Sequence, residues 1–127
     1  MNRPLHPQYV QAKRQLQERQ LLTPEGQPTA RAQPLADYFF PHLDAPRYLR
    51  SSKEVPPEHP AADDLLYTLC LLVWHDQSVE QRSRIRNWAE QNHLHPAAAP
   101  IIAASYVVRH QHANDHQHVE KTASYTQ

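Results

Sequence analysis

A chain of 127 residues with one glycine, twelve prolines and one cysteine is long enough for one domain with a real core and too short for two. Thirteen basic and thirteen acidic residues cancel, which argues against a strongly basic nucleic-acid binder while leaving room for a local basic face. The lone Gly26 rules out the usual glycine-rich phosphate cradles and nucleophile elbows, and the lone Cys70 rules out an intramolecular disulfide.

The pattern along the chain predicts an all-α fold: a small bundle of three core helices, a proline-rich connector and an additional N-terminal helix. Residues 1–22 form the first unit, with a helix over 7–22 entered through Pro4 and Pro7. Val10, Leu16 and Leu21, with Tyr9 beside them, give it a weak apolar stripe, and Lys13, Arg14, Arg19 and glutamines cover the rest. Such a helix is expected to be solvated and to dock on the core or on a partner.

Residues 23–60 carry eight of the prolines and read as a connector with short helical pieces. Pro34 suits the first turn of one piece, which Pro41 must end. That piece holds Tyr38, Phe39 and Phe40, and burying each ring is worth about 2–3 kcal/mol. A second turn is expected over 46–50, followed by an exposed stretch over 51–59.

The helical core is placed at 61–112. Pro60 with Asp63 and Asp64 marks a helix start, because acids favour the positive end of the helix dipole. The run 65–74 is apolar on every side, which predicts a central helix. Ser78 and Gln81 form a capping box opening a helix to about Asn92, with Asn92 standing in for a terminal glycine. A last helix over 97–112 turns Ala98, Ile101, Ile102, Ser105 and Val108 inward. Pro100 conflicts with a start at Pro96, so an irregular or later start is expected. Residues 113–127 read as a polar, fraying tail.

Little in this pattern is catalytic. Cys70 lies in the most apolar helix and reads as a core thiol. The acids at 63 and 64 point in different directions on a helix and read as helix-start groups rather than a dyad. No cofactor is expected. The first residues contain no continuous apolar stretch and the longest apolar run is too short to cross a bilayer, so a cytoplasmic protein without membrane contact is expected.

The reading that fits these absences is a non-enzymatic adaptor or regulatory protein that binds a protein partner or itself. Its candidate contact residues are Tyr9, Val10, Leu16, Tyr38, Phe39, Phe40 and Trp88, each of which is equally a candidate for the core. Two other classes have some support. The helices over 78–92 and 96–112 resemble a helix-turn-helix in spacing, but the second opens without a side chain to read bases. Nucleic acid would therefore be met at phosphates alone, by Arg82, Arg84 and Arg86 together with the basic first helix. Histidines are dense near the end, and His110, His112, His116 and His118 are the candidates for a metal site, with His112 and His116 one helical turn apart.

Overall fold

The computed structural model describes residues 6–56, 58 and 64–126, and side chains as far as residue 113. Six α-helices form among them: α1 (Pro7–Glu18), α2 (Gln33–Phe39), α3 (Ala45–Ser52), α4 (Leu65–Asp76), α5 (Val79–Gln91) and α6 (Ala98–Thr126). The fold is all-α. Among the described residues, no helix is long and apolar enough to cross a membrane.

The helix starts follow local chemistry. Pro7 and Pro34 lie in the first turns of α1 and α2, where no amide hydrogen is needed. Asp44 accepts from the Arg47 amide at 3.2 Å to open α3, and Asp64 accepts from the Tyr67 amide at 2.9 Å to open α4. Asp64 thus caps a helix that starts at Leu65, while residues 60–63, expected to begin it, lie outside the described residues. Ser78 accepts from the Gln81 amide at 3.0 Å to open α5. The reciprocal half of the capping box is diverted: the Gln81 amide group donates to the Phe39 carbonyl at 2.8 Å, fastening the end of α2 to α5. Helix α6 starts at Ala98, so Pro100 falls in its first turn and the conflict with Pro96 disappears.

The ends of α1 and α6 depart from expectation. Helix α1 stops at Glu18 rather than near residue 22, because Gln20 turns left-handed at φ 61°. Its neighbours then close back, the Leu21 amide donating to the Leu16 carbonyl and the Gln20 amide to the Gln17 carbonyl. Helix α5 ends the same way, with His93 at φ 56°, the Leu94 amide on the Ala89 carbonyl and the His93 amide on the Glu90 carbonyl. Both are Schellman motifs built without glycine. Asn92, expected at the left-handed position, has φ −104°, and the turn falls one residue later. Helix α6 continues past His112 to Thr126, in a stretch from Ile101 onward that holds no proline or glycine to stop it.

The axis of the molecule is α6, not α4. Ala98, Ile101, Ala103, Ala104, Ser105 and Val107 are fully buried, and α6 packs against each of the other five helices. Alanine is a faint signal in a hydrophobic pattern, yet its small side chain lets neighbouring helices close in from all sides. The Ser105 hydroxyl is satisfied inside the helix by donating to the Ile102 carbonyl at 2.6 Å. Helix α4 buries Leu69, Cys70 and Val73 but leaves Leu65, Leu66, Leu71 and Leu72 partly exposed.

The connector carries part of this packing. Phe39 and Phe40 of the α2 end and Tyr48 of α3 belong to the buried cluster, as do Tyr9 and Leu16 of α1. Tyr48 donates to Asp76 at 2.6 Å and Arg47 pairs with the same carboxylate at 2.9 Å, tying α3 to the last residue of α4. The one glycine serves the loop between α1 and α2. Gly26 has φ 84° and donates to the Thr23 carbonyl, while the Thr23 amide donates to the Gln27 carbonyl.

Candidate functional site

Two surface features result from this packing. The first is an aromatic platform where α2 meets α5. Tyr38 is 61% exposed, and its ring meets the edge of Phe39 at 4.8 Å between centroids. Phe39 meets half-buried Trp88 at 5.5 Å, also edge-on. The Arg84 guanidinium lies 5.1 Å from the centre of the Tyr38 ring. Three of the sequence-predicted contact residues, Tyr38, Phe39 and Trp88, therefore come together, joined by one predicted phosphate-binding arginine. Phe40 is buried beside Phe39.

The α1 candidates lie elsewhere. Leu16 is fully buried, Tyr9 packs its ring on Tyr67 at 4.6 Å, and Val10 is 38% exposed. The three arginines of α5 do not form one row. Arg82 donates to the Trp74 and His75 carbonyls at 3.1 and 2.9 Å, capping the end of α4. Arg82 and Arg86 both lie over the Trp74 ring, at 5.5 and 5.3 Å, while Arg84 lies over Tyr38. On α6, His112 is exposed and His110 half-buried, whereas the side chains of His116 and His118 lie outside the described residues. Among the described residues, no three His, Cys, Asp or Glu side chains gather as a metal set.

The second feature is a cleft of about 350 Å³ where the starts of α1 and α6 meet α4 and α5. Two His-Pro steps build its polar side. At the start of α1, His6 Nδ1 accepts from the Gln8 amide at 3.2 Å, and before α6, His95 Nδ1 accepts from the Ala97 amide at 3.0 Å. With Nδ1 used as an acceptor, the neutral ring carries its proton on Nε2, so each imidazole is left as a donor there. Burial, and then the charge of neighbouring His6, pull the His95 pKa below its ordinary value. Arg86 lines the cleft from α5, and Leu71, Trp74 and Pro100 supply apolar wall.

Comparison with protein-family models, curated proteins and solved structures gives no match. The chemistry of the cleft is therefore argued from its own groups. Burial, reinforced by the charge of Asp64, pushes the Cys70 thiol up to about 12, so it is a poor nucleophile at neutral pH. Tyr9 is 3% exposed and its hydroxyl is buried without a hydrogen-bond partner. Burial raises its pKa well above the ordinary tyrosine value, with Asp64 adding to the shift, so it remains a neutral donor. The groups present can hold and orient a ligand.

Sequence reasoning did not single out His6, Trp74 or His95. The available signal was the repeated His-Pro step ahead of two helices, in which the ring caps the amide two residues on. Their convergence on one cleft joins segments about ninety residues apart, and spacing along the chain does not encode it.

Proposed function

We propose that this protein is a small non-enzymatic adaptor or regulatory protein that acts by binding a protein partner or a second copy of itself. The observation that carries this reading is the exposed Tyr38 ring, braced by the Arg84 guanidinium and by Phe39, which in turn packs on half-buried Trp88. Tyrosine, tryptophan and arginine dominate the energetics of protein interfaces. A ring already held in place loses little rotamer freedom on binding, so more of its contact area is realised as affinity. The suppressed nucleophilicity of Cys70 supports a non-catalytic role. The single unpaired cysteine also fits a reducing compartment such as the cytoplasm.

Sedimentation velocity of the pure protein and affinity capture from native extract test this reading together. A defined oligomer or a retained partner is expected, and Tyr38→Ala should abolish it without lowering the thermal midpoint. A protein that stays monomeric and retains no partner overturns it.

A further inference from the structure

The cleft between the starts of α1 and α6 offers donors and apolar wall, and among the described residues no aspartate or glutamate lines it. Both helices direct their amino-terminal ends towards it through His6 and the 95–97 turn, which adds positive potential. His6 and His95 are near enough for the charge of one to disfavour protonation of the other, and an anion in the cleft would offset that repulsion. Arg86, exposed on α5, presents a planar fork suited to two oxygens of one carboxylate. The buried Tyr9 hydroxyl without a partner supplies an independent sign of a ligand, because a buried donor is normally satisfied.

The rest of the lining selects against a purely hydrophilic anion. Trp74, Leu71, Pro96 and Pro100 form apolar wall, with the Arg82 and Arg86 guanidinium groups 5.5 and 5.3 Å from the centre of the Trp74 ring. A volume of about 350 Å³ lies at the small end of ligand sites, enough for one ring system or a short chain beside a carboxylate. We propose that this cleft binds a small carboxylic acid with a single aromatic or alkyl body, the carboxylate held by Arg86, His6 and His95 and the body against Trp74 and Leu71. Asp64, the carboxylate whose charge acts on Tyr9 and Cys70, accepts from the Tyr67 amide as the cap of α4 and is not among the residues lining the cleft.

The inference does not rest on the partner surface at Tyr38, and the experiment separates the two. Isothermal titration of the full chain with 2-naphthylacetate, its uncharged primary amide and inorganic phosphate provides the first readout, with the Trp74 indole NMR signal as the second. Saturable binding of the acid is expected, the amide binding about tenfold more weakly and phosphate leaving the indole signal unmoved. Arg86→Gln should weaken the acid by about tenfold at an unchanged thermal midpoint. Tyr9→Phe should weaken the acid while leaving the thermal midpoint no lower, and Tyr38→Ala should leave acid binding intact. Equal affinity for acid and amide, no binding up to roughly 1 mM, or an Arg86→Gln protein that binds as tightly as wild type overturns the proposal.

Discussion

The Arg19 guanidinium donates to the carbonyl of His93 at 3.1 Å, and also to that of Asn92, so the residue that ends α1 caps the end of α5 across 74 positions of sequence. A cation at a helix C-terminus meets carbonyl groups left without amide partners and the negative end of the dipole. Replacing Arg19 by methionine should cost about 1 kcal/mol, read as a lower urea midpoint at unchanged slope. An unchanged midpoint would show that water satisfies these carbonyls as well as the guanidinium does.

Gln20 and His93 both hold left-handed backbone at exposed positions where a glycine carries no steric penalty. Gln20→Gly and His93→Gly should each stabilise the fold by about 0.5–1 kcal/mol. Gly26→Ala runs the other way. Among the described residues a Cβ there would meet Leu66 and Lys13 at 3.7 and 4.0 Å, ordinary contact distances, so the loss of about 1 kcal/mol arises from φ 84° rather than from crowding. Thermal melts of the three variants measure both signs.

Cys70 combines burial with a pKa of about 12. Its reaction with a disulfide reagent at about pH 8 should be slow in the native protein and should accelerate on addition of denaturant, because only the exposed thiolate attacks. A native rate equal to that of a free thiol would mean that the α4 end of the cleft opens readily.

His95 binds its proton more weakly in the fold than in the unfolded chain, owing to burial and to His6. Above the unfolded value of about 6.5 the neutral ring keeps its bond from the Ala97 amide and stability is complete. As the pH falls below that value the unfolded chain takes up a proton that the fold resists, so stability is lost down to the lowered folded value. The urea midpoint should therefore drop as the pH falls through the unfolded value of about 6.5, and His95→Asn, which keeps an acceptor without titrating, should reduce the drop.

The starts of helices were legible in the sequence, as were the ends of α2 before Pro41 and of α5 near Asn92, while the ends of α1 and α6 and the left-handed turns were not. Asp64, Ser78 and Pro34 announce themselves because a cap is a residue type at a fixed offset from the amide it serves. Gln20 and His93 give no such sign, since the left-handed turn is imposed there by the packing of Leu21, Leu22 and Leu94 around it. The platform was half visible: a run of three aromatics needs cover, but which ring stays outside depends on Gln81 holding the Phe39 carbonyl. The cleft was invisible because its lining arrives from four separate helices and the turn before one of them. The choice of axis was missed for a simpler reason, that leucines outweigh alanines in any hydrophobic pattern while alanines permit the closest approach of backbones.

An axial helix touched by every other helix leaves the molecule few ways to come apart in pieces. Helix α4 shares more contact with α6 than any other helix does, and its departure would uncover the row of alanines and isoleucines between Ala98 and Val107, so that opening carries nearly the cost of a global one. Amide hydrogens along that row should exchange together with those of α4, in one cooperative event rather than in stages.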